Sequence, residues 1–386
     1  MKQLFTTIVA LFVGFGALQA ATPIEQFPKQ IYSGEWKAGH IQGIAVDAKQ
    51  GYIYYSFTTM LIKADLQGNI IGTVTGLLGH LGCIEFNEED GRIYGSLEYK
   101  NDSIGRGILK QENTTKHWDT AFYVAIFDVD KITREGMSAE KDGIMTSIYL
   151  PTVLEDFEAK VVNNGTELEH RYGCSGFDGI TFGPKFGKSD GKYYMTIAYG
   201  IYGDKSRTDN DYQVLLQYDT KNLAKYEQPL SQENMHQSGP KKPADRYFVY
   251  TGNRNWGVQN MEYDKTRNFW FLATYETKKS DFAGFTLHVV DGNIAPKKQN
   301  LKGVDYAKKQ SILTLCGRGM TDPNHTDVRG WHFDKASTGM HALGDNYFYI
   351  SHRKRNKPYQ SCTATMYKFV GREGVPFADI QSFILL

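Results

Sequence analysis

Five segments of this chain repeat one pattern: a short apolar strand opened by a small or turn residue and followed by an aromatic partner strand. The copies are HIQGIAVD from His40, HLGCIEFN from His80, GFDGITFG from Gly176, GVQNMEYD from Gly257 and STGMHALGD from Ser337. The partners are GYIYYSF, GRIYGSLEY, GKYYMTIAY, NFWFLATY and NYFYISH. A small sheet repeated in this way cannot bury both of its faces alone. It does so by stacking against copies of itself, which closes a ring of blades. The expected fold is therefore all-β, a β-propeller of five four-stranded blades. Six is the alternative if a divergent copy lies in 150–175 or 302–336.

The blades can be written out strand by strand. The first uses GIAVD, YIYYSF, MLIKADL and NIIGTVTG, with breakers at Lys49-Gln50-Gly51 and Gln67-Gly68-Asn69. The second uses CIEFN, RIYGSLEY, FYVAIFDVD and IMTSIYL; the third uses GITFG, KYYMTIAYG, YQVLLQYD and RYFVYTG. The fourth uses NMEYD, FWFLATYE, FTLHVVDG and SILTLCG; the last uses GMHALGD, YFYISH and ATMYKFVG. Its outer strand is FADIQSF near the C-terminus or IEQFPKQIYSG near the N-terminus. Little helix is expected beyond a turn or two in 154–170.

Residues 1–20 read as a signal peptide, with Lys2 before an apolar run and small residues at Ala20 and Ala21. That leaves 21–386 as a single domain, exported to a periplasmic or extracellular space, with no transmembrane segment. A near balance of 44 basic and 43 acidic residues argues against nucleic acid as a bulk partner. Four cysteines allow two disulfides in three connectivities, and the blade map favours Cys316–Cys362.

In a propeller the loops that join blades open on the same face as those between second and third strands. The long stretches 98–120, 198–212, 274–284, 351–363, 151–176 and 317–337 all fall there. Function is expected on that face. Aligning the inner strands gives two polar columns at its centre. The first holds Gln42, Gly82, Asp178, Gln259 and Thr338. The second holds Ala45, Glu85, Thr181, Glu262 and His341. Oxygen donors in the first suit a hard cation. Two carboxylates and an imidazole in the second suit acid–base work or a metal. Strict alternation, however, would turn one column into blade packing.

His40 and His80 occupy matching places at the channel mouth. The loops add Arg171, Lys205, Arg207, Arg254, Lys278, Lys279 and the basic run His352, Arg353, Lys354, Arg355, with Trp118, Trp256, Trp331, Tyr172, Tyr202 and Tyr359 interleaved. Rings stack on sugars and guanidinium groups grip anions. Candidate ligand contacts are therefore His40, His80, His341, Trp118, Arg171, Arg254, Trp256, Trp331, Arg353 and Tyr359. GPKFGKS is one residue short of a phosphate loop, and no HExxH zinc motif occurs.

GVQNMEYDKTRNFWFLATYE and HIQGIAVD resemble strand pairs of secreted five-bladed propellers, chiefly the calcium-dependent apyrases, a superfamily that also holds arabinan- and fructan-cleaving hydrolases. The resemblance implies a calcium or other divalent cation in the channel. Carried over, its ligands are Gln42, Asp178, Gln259 and Thr338. Of these only Asp178 is acidic, and blade two offers Gly82, a departure from the apyrase pattern. Three functions stand open. One is a small-molecule or glycan binder, of a carbohydrate or anionic compound. Another is a hydrolase of glycosidic or phosphate bonds using Asp178, Glu85 and Glu262. The third is a protein-interaction platform, which needs a flat apolar top.

Overall fold

The computed structural model describes residues 24–188, 191–252, 255–277 and 279–380. The signal segment, Arg254 and Lys278 lie outside the described residues. The inner strands Ile41–Asp47, His80–Asn87, Cys174–Gly183, Val258–Asp264 and Met340–Gly344 touch in that order, and the last touches the first. The ring is a five-bladed β-propeller.

Its core follows from strand alternation. Neighbouring residues of one strand point to opposite faces, and both faces of each blade are covered. In blade one, Ile44, Ile53 and Ile62 pack against blade five, beside Tyr349 and Ala364. Ala45, Tyr54 and Leu61, one residue away along each strand, pack against blade two, beside Ile84 and Leu97. Three more apolar clusters fill the interfaces between blades two and three, three and four, and four and five.

Two edges differ from the repeat. SILTLCG does not form a full fourth strand for blade four. Gln310–Ile312 runs parallel to Asp245–Tyr250 of blade three, while Leu315 bridges Val290 and Cys316 N donates to Val289 O at 2.8 Å. The segment is shared by two blades. Blade five takes its outer strand from both termini. Its 14-residue third strand, Tyr359–Arg372, pairs with Gln30–Trp36 along one half and Val375–Asp379 along the other. The ring is closed by hydrogen bonds between distant parts of the chain.

The stretch 150–175 holds helix α2 (Pro151–Glu158) and a hairpin, and 302–336 holds short pairs and turns rather than a sixth blade. The stretch 351–363 is a hairpin of continuing strands rather than a loop. The 98–120 stretch contains helix α1 (Ser103–Gln111), which lies over the channel mouth. All four cysteines are free and buried; Cys316 and Cys362 sit in different interblade cores, so the favoured disulfide is not formed.

Candidate functional site

Both columns reach the channel, and a β-bulge is the reason. Residues three apart, such as Gln42 and Ala45, should face opposite ways. In blade one, Ile41 pairs with Phe57 and Gly43 with Ser56, so Gln42 is an extra residue with no partner of its own. Asp178 and Gln259 are the extra residues at matching places in blades three and four, and blade two is bulged across Gly82. An extra residue resets the phase of the strand. Gln42, Asp178 and Gln259 of the first column then face the channel where the strands begin, and Glu85, Thr181, Glu262 and His341 of the second face it about 10 Å further along, while Ala45 packs against blade two. Between them the Asn260 amide donates to Gln42 O (2.8 Å) and Ser337 O (3.0 Å), tying blades four, one and five together.

At the mouth is a cavity of about 380 Å³, lined by His40, Gln42, Thr58, His80, Glu98, Lys100, Asp178, Trp256, Gln259 and Tyr275, with α1 along one wall. Lys100 Nζ sits 2.7 Å from Glu98 Oε2 and donates to Ser175 O at 2.8 Å. Phe177 N donates to Glu98 Oε1 at 2.7 Å. The Gln259 amide donates to Asp178 Oδ2 (3.2 Å) and Trp256 O (2.7 Å). The Gln42 amide lies 2.9 Å from His80 Nε2. With that nitrogen accepting, His80 carries its proton on Nδ1. Nδ1 is 3.6 Å from Asp178 Oδ1 and 3.8 Å from Glu98 Oε2, beyond good hydrogen-bond reach. His80 Nδ1 and Asp178 Oδ1 are therefore both buried and unspent.

Burial sets the protonation here. It lowers His80 to about 4, so the ring is neutral. It raises Glu98 to about 7 and Asp178 to about 6, with the Lys100 ammonium pulling both back. Gly82 explains its own place in the first column: a Cβ there would meet Ser96 Oγ and come within 2.7 Å of Asp178 Oδ1.

At the far end is a wider cavity of about 560 Å³, with Glu85, Thr181, Glu262 and His341 at its base and Phe86, Phe182, Tyr193 and Tyr263 around it. Thr181 donates to Glu85 Oε2 at 3.0 Å, Phe86 N to Glu85 Oε1 at 2.8 Å, and Ala342 N to Glu262 Oε1 at 2.9 Å. Burial, then the neighbouring Glu85, holds the Glu262 carboxyl well above the usual range.

The residues singled out from sequence thus divide. Asp178 stands at one end of the channel and Glu85 and Glu262 at the other, so the three are not brought together in one site. His40, His80, Gln42, Gln259 and Trp256 gather at the mouth, and His341 joins the far cluster. The Thr338 hydroxyl is 2.6 Å from Ser351 Oγ, and Gln42 and Gln259 turn amide groups toward His80 and Asp178. Gln42, Asp178 and Gln259 of the apyrase-type column line the mouth cavity together, and Thr338 does not. Lys100 moreover already supplies a cation beside the acids.

Several loop candidates are spent on the fold. Arg171 pairs with the buried Asp156 at 2.7 Å, Trp118 Nε1 donates to Gln232 O, and the fully buried Trp331 donates to Arg372 O. Arg353 and Tyr359 are exposed on the blade-five hairpin. Sequence reasoning missed Glu98 and Lys100. The signal was the ending LEYK, which brings an acid and a base together where the second strand of blade two runs out.

The architecture defines a five-bladed β-propeller with a separate polar cavity toward each end of its inner strands. No family model matches the chain, and no curated protein matches it. Among solved structures it is similar to the apo form of the soluble aldose sugar dehydrogenase of Escherichia coli, at 10% identity over 87% of this chain and 98% of that one, TM-score 0.35. It is similar to a protein of unknown function from Bacteroides caccae, at 8% identity over 72% and 86%, TM-score 0.32. It is also similar to the holo form of the pyranose dehydrogenase PQQ domain from Coprinopsis cinerea, at 13% identity over 83% and 81%, TM-score 0.36. No described helix is long and apolar enough to cross a membrane.

Proposed function

We propose that this chain is an exported binding protein that holds a small polyhydroxylated compound, a sugar or sugar-like polyol, at the channel mouth beneath α1. The observation that carries this reading is the pair of buried, unspent atoms, His80 Nδ1 and Asp178 Oδ1, on two residues that line a 380 Å³ cavity with Trp256 and Tyr275. A donor and an acceptor a few ångströms apart suit vicinal hydroxyls, and an indole suits the apolar face of a sugar ring. The mouth is a polar funnel. Among the described residues the exposed large apolar side chains are scattered at Tyr32, Val162, Tyr193, Tyr359 and Val375, which supports a small ligand over a flat protein-binding platform.

The test is a panel of neutral sugars, polyols and uronic acids, read by melting temperature and tryptophan fluorescence. A true ligand at a hundred times its Kd adds about 2.7 kcal/mol of stability. Asp178→Asn and Trp256→Ala should each abolish the shift. A panel with no shift, or a shift indifferent to Asp178→Asn, ends the reading.

One observation favours a second reading, acid–base chemistry on the bound compound. Glu98 at about 7 and Asp178 at about 6 flank a neutral imidazole, the range in which a carboxyl both gives and takes protons near neutrality. Their nearest oxygens lie within 4.8 Å, closer than the roughly 5–10 Å between the paired acids of most glycosidases. Turnover with a pH limb between 6 and 7 that disappears in Glu98→Gln would establish it; bound sugar recovered unchanged would leave only binding.

A further inference from the structure

The far end of the channel carries a donor set that the ligand-binding reading does not use. Glu85, Glu262 and His341 come from blades two, four and five, and their donor atoms lie within 4.8 Å of one another. All three are buried, at 4%, 4% and 9% exposure. His341 Nδ1 is 3.3 Å from Glu85 Oε1 and 3.9 Å from Glu262 Oε1, yet it makes no hydrogen bond and is one of the chain's buried unpartnered atoms. An imidazole nitrogen left unspent between two carboxyls is costly unless something else binds it. The carboxyls are held in place from outside: Glu85 by Thr181 and Phe86 N, Glu262 by Ala342 N. These contacts orient oxygens as supporting hydrogen bonds orient metal ligands.

We propose that Glu85, Glu262 and His341 bind a divalent first-row transition cation, with its remaining coordination positions open to the 560 Å³ cavity. Three protein ligands with an open side are the pattern of a site that admits a further ligand rather than a closed structural one. The imidazole favours manganese or zinc over calcium and magnesium, which prefer oxygen alone. The wall of Phe86, Phe182, Tyr193 and Tyr263 would shield that open side and accept an organic oxygen ligand with an apolar body.

The test uses the chelator-treated full chain, titrated with Mn²⁺ by electron paramagnetic resonance and with Zn²⁺ by calorimetry. One equivalent should bind, with Ca²⁺ weaker by at least about tenfold. Glu262→Gln and His341→Ala should each weaken binding at least about tenfold, while Asp178→Asn leaves it unchanged. In the wild type, Mn²⁺ should broaden the His341 ring resonances, a readout that needs no variant. Binding indifferent to Glu262→Gln and His341→Ala, or lost only in Asp178→Asn, overturns the site. Equal Ca²⁺ affinity with His341→Ala silent overturns the imidazole ligand. Sugar binding at the mouth is measured separately, so either result can fail without the other.

Discussion

Each end of the channel gathers two carboxyls and an imidazole, all from inner strands except Glu98 of the mouth, which stands on the second strand of blade two. The two ends differ in what balances the charge. At the mouth, Lys100 lies 2.7 Å from Glu98, and both side chains are almost fully buried. At the far end both carboxyls face His341. A cluster that contains its own ammonium has little use for a metal ion and keeps its spare atoms for a neutral hydrogen-bonding ligand. A cluster that lacks one leaves a place for a cation. The repeat supplies the positions, and a single residue just past the second strand of blade two decides the chemistry.

Removing that residue is the hardest test of the contrast. Lys100→Ala leaves the Glu98 carboxylate buried without its partner, a change that typically costs about 3–5 kcal/mol. At the other end, Glu262→Gln should cost less than about 1 kcal/mol in metal-free protein, because a carboxyl that holds its proton has no ion to strand. Urea unfolding at pH 8 compares the two. The Lys100→Ala deficit should shrink at pH 5, where Glu98 takes up a proton. Equal losses for the two variants, or a deficit that does not change with pH, would break the assignment.

A smaller effect comes from titration at the mouth. His80 is lowered to about 4 from an ordinary 6.5, so the unfolded chain takes its proton first as pH falls. Its contribution to stability is present above 6.5 and lost as pH drops toward 4. Glu98 and Asp178 are raised to about 7 and about 6, so the folded chain keeps protons the unfolded chain has released. Their contribution is present below about 4 and lost as pH rises toward 7. The slopes oppose each other between about pH 4.5 and 6.5, one group rising against two falling, so wild-type stability should fall there by roughly 1 kcal/mol per pH unit. His80→Gln removes the rising part. Stability should then fall from pH 5 to pH 7 by about 2 kcal/mol more than in wild type. Parallel curves would mean that His80 is not held neutral by its surroundings.

Much of this was legible in the sequence because alternation is local. Ile44 beside Ala45, or Leu61 beside Ile62, marks a strand buried on both faces, and five such sets define the ring. The columns were legible once the copies were aligned. What decided that both face the channel was a bulge at Gln42, Asp178 and Gln259, and an extra residue shows only against its partner strand. Lys100 and Glu98 were hidden for a related reason: they stand at the end of the second strand and just past it, outside the columns. Trp331 and Arg171 were misjudged because loop residues were assumed to be free. The structure spends one on Arg372 O and the other on Asp156. The shared fourth strand near Leu315 and the two-ended outer strand of blade five depend on pairings over long sequence separations, which periodicity does not encode.

The smallest expected effect separates the two ends by motion rather than charge. Helix α1 has nine residues and two interior glycines, each costing up to about 1 kcal/mol relative to alanine. Gly105 is required, since a Cβ there would strike Lys100 O. The helix is therefore marginal and leans on its cap, the Asp102 carboxylate, which accepts from Ile104 N at 3.0 Å and Gly105 N at 2.9 Å. Asp102→Ala should cost about 1 kcal/mol of local helix stability and little in global unfolding. Amide exchange across 103–111 should quicken about fivefold, which is what that energy amounts to. Because Ile104, Ile108 and Gln111 wall the mouth cavity, a sugar held there should also dissociate faster. Manganese at the far end should not respond. If both ligands loosen together, the channel behaves as one site and its two ends are not independent.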